Sequence, residues 1–143
     1  MKTENITNCI KWWLIALVFL LAPVPPASGL VLAVHGDLQL TTAVMCESVH
    51  NYAPIHPAVV FPIQRGRVFC FTEFASISSQ TRVYHKWYRD DRLITNQRLV
   101  LNPPRWSSST SVQLRDADKG PWRVDITDEA GTPIYTLRFS ITD

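Results

Sequence analysis

The chain has 143 residues, 46% of them hydrophobic and only 18% charged, with a formal net charge of +2. That length suits one domain, and so balanced a charge supplies no long-range field to attract nucleic acid. Ten prolines and five glycines are scattered, so no stretch reads as low complexity, and no fixed repeat period appears.

The first element is a leader. "MKTENITNCIK" is polar and carries Lys2 and Lys11; "WWLIALVFLLAPV", Trp12 to Val24, has no charge; Pro25, Pro26 and Ala-Ser-Gly follow. A basic start, a short apolar run, a turn and small residues predict a secretory signal over residues 1–29, with Leu30 as the mature start. The alternative is an uncleaved anchor at residues 12–24, although a spanning helix needs about 20 apolar residues. Removing Lys2, Lys11 and Glu4 leaves 12 basic and 11 acidic residues in a single domain, 30–143. The expected location is periplasmic or extracellular, with inner-membrane anchoring as the alternative. The membrane is expected as a partner only through residues 12–24, and only if they are not cleaved off.

Compartment governs the cysteines. Cys9 leaves with the signal, and Cys46 and Cys70 remain as an even pair in an oxidising environment. A disulfide between them is expected. Its loop of about 25 residues gives about 3 kcal/mol in the chain-entropy picture. The metal alternative, Met45 and Cys46 with His50 or His56, matches no compact zinc spacing, so no metal and no cofactor is expected.

From Leu38 onward the apolar period is two, not 3.6. "LQLTTAVMC" alternates, and so does "RVFCFTEFAS". Between them "SVHNYAPIHPAVVFPIQRG" holds three prolines, which argues for a long crossing loop with a short edge strand near Val59–Phe61. Thr81–Arg89 is the next strand. "DRLITNQRLVL" follows with a polar kink at Thr95–Gln97. "SSSTSVQL" reads as an edge strand. "PWRVDIT", the turn "DEAGTP" and "IYTLRFSITD" make a closing hairpin. No stretch carries an amphipathic helix. Six or seven short strands joined by turns predict an antiparallel, immunoglobulin-like β-sandwich behind the hydrophobic signal helix. The cysteines would tie the first strand to the second.

Five short motifs come in order: "MCE" at 45–47, "RVFCFT" at 67–72, "HKWY" at 85–88, "RWSS" at 105–108 and "GPWRVDITDEAG" at 120–131. Together they resemble the bacterial domain-of-unknown-function 2914 family, over about residues 44 to 142. The resemblance implies a small β-rich extracytoplasmic domain and no catalytic residue. Cys46 and Cys70 fall at the family's cysteine positions, which supports the bridge. The family's second aromatic and Lys around Trp-Ser-Ser are missing after Trp106.

Residues 84–88, "YHKWY", pose the functional question. On a strand Val83, His85 and Trp87 share one face, and Tyr84, Lys86 and Tyr88 the other. The first face reads as core, with His85 a hydrogen-bonded histidine beside Trp87. A catalytic His85 would need a positioned nucleophile and a carboxylate, and no nucleophile-elbow motif marks any serine. Tyr84 and Tyr88, about 13 Å apart, could touch separate sugar units. Asp90, Asp91, Asp116 and Asp118 are too sparse for a calcium loop. The expectation is an exported, non-catalytic binding module of the cell envelope, its partner a glycan or a protein and not nucleic acid. Its candidate contacts are His85, Trp87, Tyr88 and Trp106. A membrane-anchored accessory subunit and a hydrolase using His85 are the alternatives.

Overall fold

Residues 32–143 are described by a computed structural model. The expected signal segment, 1–29, lies outside the described residues. Ten strands run in chain order: β1 Ala33–His35, β2 Leu38–His50, β3 Ala53–Pro57, β4 Val60–Pro62, β5 Arg67–Ala75, β6 Thr81–Arg89, β7 Arg92–Leu101, β8 Trp106–Gln113, β9 Gly120–Thr127 and β10 Pro133–Thr142. Two single-turn 3₁₀ segments, Ile63–Arg65 and Asp116–Asp118, are the only helical pieces among the described residues. None is long or apolar enough to cross a membrane.

The strands form two five-stranded sheets. Sheet A has the order β1-β2-β5-β8, with β3 also paired to β2; sheet B has the order β4-β10-β9-β6-β7. Pairing is antiparallel except for β4 with β10, which is parallel. The count exceeds the six or seven strands expected, and the excess has a local cause. The expected crossing loop after Cys46 is mostly ordered pairing. β2 runs on to His50, turns through Asn51 and Tyr52, and pairs back as β3 despite Pro54 and Pro57. Pro54 stands opposite Val49 at a non-hydrogen-bonded position, where its missing N–H costs no ladder bond. Past Pro57 the pairing is kept by the Ala58 N–H donating to the Met45 carbonyl at 3.0 Å. The short edge strand expected near Val59–Phe61 is present as β4.

The core lies between the sheets and has two parts. At one end Met45, Val68, Cys70 and Val112 of sheet A meet Phe61, Trp87, Trp122, Val124, Phe139 and Ile141 of sheet B. Phe139 is the hub: its ring lies 6.0–6.1 Å from those of Phe61, Trp87 and Trp122. Such ring pairs add about 0.5–1.5 kcal/mol beyond their buried area. At the other end Leu40, Ala43 and Phe74 meet Val83, Leu101 and Ile126. The closing hairpin forms as expected from its alternation, with Phe139 opposite Trp122 and Leu137 opposite Val124. Thr95–Gln97, the expected kink, pair regularly with β6; the irregularity in β7 is a bulge just before them. Trp87 pairs with Thr95 but Tyr88 pairs with Leu93, leaving Ile94 over.

Candidate functional site

The four candidate contacts do not make one site. His85 and Trp87 are fully buried, while Tyr88 is half-buried and Trp106 is 40% exposed. Tyr88 pairs with Arg123 in sheet B, next to Trp122 at one end of the core. Trp106 pairs with Phe74 in sheet A, at the other end.

His85 sits between the sheets in a chain of polar groups. Its Nε2 is 3.2 Å from Thr72 Oγ1, and its Nδ1 is 2.8 Å from Thr110 Oγ1. Trp87 Nε1 is 3.2 Å from the same Thr110 oxygen, and Thr72 Oγ1 lies 3.5 Å from the Ser108 carbonyl. One proton assignment satisfies every group. The indole N–H donates to Thr110, whose hydroxyl donates to Nδ1. Nε2–H then donates to Thr72, whose hydroxyl donates to Ser108. A protonated imidazole would leave the Thr110 hydroxyl proton without an acceptor. Burial also opposes the charge and pushes the His85 pKa down to about 3. His85 therefore binds its two sheets together. Among the described residues its ring nitrogens meet only the two threonine hydroxyls.

The structure shows no bridge between the cysteines. Cys46 and Cys70 are both free and buried. β2 and β5 are neighbours, but the register places Met45 opposite Cys70 and Cys46 opposite Phe69. Cross-strand partners share a face and successive residues alternate, so Cys70 points into the core with Met45 and Cys46 points to the outer side. A disulfide requires Cβ atoms facing each other about 3.8 Å apart. The parity of the register, invisible in the spacing, forbids that. Burial raises the pKa of both thiols. The same parity separates Met45 from Cys46 as metal ligands, and His56 is engaged by Glu47 at 3.0 Å. No cluster able to hold a metal occurs among the described residues.

A different feature stands out on the outer side of sheet A. The β2–β3 hairpin bends over this face, so Val49, Asn51 and Tyr52 lie above Phe69, Phe71 and the serines 107–109. They enclose a groove of about 520 Å³. None of these eight lining residues is charged. Tyr52, at its lip, is 84% exposed. The hairpin closes in two residues, His50 pairing with Ala53, and both loop residues have positive φ, 48° at Asn51 and 58° at Tyr52. A two-residue loop of this kind favours Gly, Asn or Asp. The β6–β7 hairpin obeys that preference, with Asp90 and Asp91 at φ 46° and 59°. Tyr52 does not. It stands in a left-handed conformation that costs a side-chain-bearing residue about 1–2 kcal/mol, and it recovers little of that by burial. Sequence reasoning missed it because residues 47–64 read as a crossing loop; the signal was "HNYAP", an Asn followed by an aromatic between two strand-like runs.

The family model described as Protein of unknown function (DUF2914) matches residues 80–141. The chain resembles that family over this stretch. The match runs from the start of β6 into β10. It includes "HKWY", "RWSS" and "GPWRVDITDEAG", whereas "MCE" and "RVFCFT" precede it. No curated protein matches the chain. Among solved structures, the crystal structure of beta-glucosidase from Listeria innocua in complex with glucose has a TM-score of 0.45 and 8% identity. That likeness covers 75% of this chain and 16% of the other, and is too weak to bear on fold or chemistry here.

Proposed function

We propose that this protein is an exported, non-catalytic binding module of the bacterial cell envelope, an immunoglobulin-like β-sandwich that takes a neutral glycan in the groove beneath Tyr52. The observation that carries the reading is Tyr52 itself: an exposed ring, held at a conformational cost, over an aromatic floor. A residue kept in a strained conformation without a gain in packing is a mark of function. The groove suits a sugar. Phe69 and Tyr52 offer ring faces, while Asn51, Ser107 and Ser109 offer hydroxyl and amide groups to sugar hydroxyls. Without a charge in the lining, a carboxylate or ammonium would lose its hydration there uncompensated. Export rests on the leader at 1–29, and the sandwich reading on two facing sheets closed by the β9–β10 hairpin.

The test uses Tyr52→Gly, which removes the ring while suiting the backbone. Wild type is expected to be retained on at least one immobilised neutral polymer among dextran, mannan and chitin oligosaccharides, and Tyr52→Gly to lose that retention while melting no lower. Equal retention by both proteins, or none by wild type, sinks the groove as a glycan site. An intact mass beginning at Leu30 supports export; a mass retaining residues 1–29 contradicts it.

A further inference from the structure

The outer face of sheet B carries a second surface, remote in the fold from the groove. Its outward residues align in rows across the strands. Arg138, Arg123, Tyr88 and Leu93 form one row; Thr136, Asp125, Lys86 and Asn96 the next; Tyr84 and Arg98, beside the buried Thr127, the third; and Arg82 pairs with Val100 beyond it. Five cations thus share these rows with a single carboxylate, Asp125. Both Asp125 oxygens are engaged, by Arg123 Nε at 3.2 Å and by the Thr136 hydroxyl at 2.8 Å. Arg123 is also bonded to Asp91, and Arg82 is paired with Glu129 at 2.6 Å. Lys86, Arg98 and Arg138 have no ion pair or side-chain hydrogen bond among the described residues.

Sheet stability does not account for this pattern. Arg138 stands directly opposite Arg123, and like charges at opposed positions destabilise a sheet. With Asp91, Asp125 and Glu129 counted, the face carries five cations against three carboxylates, in a chain whose net charge is only +2. From the register and ordinary strand dimensions, Arg138, Lys86 and Arg98 descend a diagonal in steps of about 12 Å and about 8 Å between Cα positions. Tyr84 and Tyr88 flank Lys86 on β6. Arg123 lies over the Tyr88 ring at 4.1 Å, and no cation lies over Tyr84 among the described residues.

We infer that this face binds an acidic polysaccharide, whose carboxylate or phosphate groups meet Arg138, Lys86 and Arg98 while an uncharged ring lies against Tyr84. Spaced cations on a flat surface complement an extended chain bearing charges at intervals. The tyrosine between them gives the intervening sugar a stacking partner. An anionic bilayer offers charge but no ring. A single nucleic acid strand brings successive bases that call for neighbouring aromatic platforms, and here the two tyrosines on β6 are separated by Lys86.

Retention of the full chain on polygalacturonate resin tests the assignment, with dextran resin, phosphatidylglycerol vesicles, a thymidine oligonucleotide and ring-free polyacrylate as comparisons. Polygalacturonate is expected to retain the protein, less so as salt rises. The triple variant Lys86→Gln, Arg98→Gln, Arg138→Gln should bind about tenfold more weakly with an unchanged melting temperature. Tyr84→Ala should weaken binding to polygalacturonate but not to polyacrylate. Tyr52→Gly should change neither, which keeps this surface distinct from the groove. Absence of salt-dependent retention, an unaffected triple variant, or stronger capture by vesicles or oligonucleotide than by polygalacturonate would overturn the inference.

Discussion

His85 Nδ1 and Thr110 Oγ1 lie 2.8 Å apart across the gap between the two sheets, with the imidazole shut away from water. This contact makes the fold sensitive to acid. The unfolded histidine takes up a proton near its ordinary pKa of 6.5, whereas in the folded protein burial holds the value down to about 3. The folded state therefore binds fewer protons throughout that interval. Stability is fully present above pH 6.5 and falls as pH drops toward 3, by at most about 1.4 kcal/mol per pH unit. Urea unfolding at pH 7.5 and 5.5, where ordinary carboxylates are still nearly fully ionised, should show a lower midpoint at pH 5.5. His85→Gln should largely abolish the difference; an unchanged slope in that variant would place the acid sensitivity elsewhere.

Thr110 has two duties, accepting from the Trp87 indole and donating to His85. Thr110→Val keeps the shape and removes both. The indole N–H and Nδ1 are then buried without partners, at about 1–3 kcal/mol for each group. Thr110→Ser restores the hydroxyl and should recover most of the loss. Chemical denaturation of the two variants side by side reads this directly, and equal destabilisation would mean that the methyl group, not the hydroxyl, matters.

The two cysteines give a chemical check on the register. With Cys70 in the core and Cys46 on the opposite side of the same sheet, native protein should resist iodoacetamide. Denatured protein should take a label at both positions without prior reduction, read by peptide mapping. Labelling that appears only after reduction would show a bridge and require β2 to slip by one residue against β5.

Much of the fold was legible because alternation is a local signal. β5, β6, β9 and β10 follow from the spacing of Val68, Cys70, Thr72 and Phe74 or of Trp122, Val124 and Ile126 alone. The inward placement of His85 followed from its parity with Val83 and Trp87. What the residues do not state is register. Whether Cys46 faces Cys70 depends on a pairing offset of one, set by hairpins and bulges elsewhere. The cationic face was hidden for a related reason: Lys86, Arg98, Arg123 and Arg138 are dispersed along the chain, and only the β10-β9-β6-β7 order brings them together. The whole-chain charge of +2 concealed that concentration.

Tyr52 separates a functional side chain from a structural one by the sign of a stability change. A core aromatic truncated to Gly would cost several kcal/mol. Tyr52 is exposed and left-handed, so Tyr52→Gly should raise stability by about 1 kcal/mol through relief of the side-chain clash, less the entropy that glycine adds to the unfolded chain. Tyr52→Ala keeps a Cβ in the same left-handed position and should be no more stable than wild type. Thermal melts of the three proteins give the order Gly above Tyr, with Ala no higher than Tyr. A melting temperature for Tyr52→Gly well below wild type would show that the ring packs on Phe69 and Phe71 as part of the fold, and would remove the ground for assigning it to a ligand.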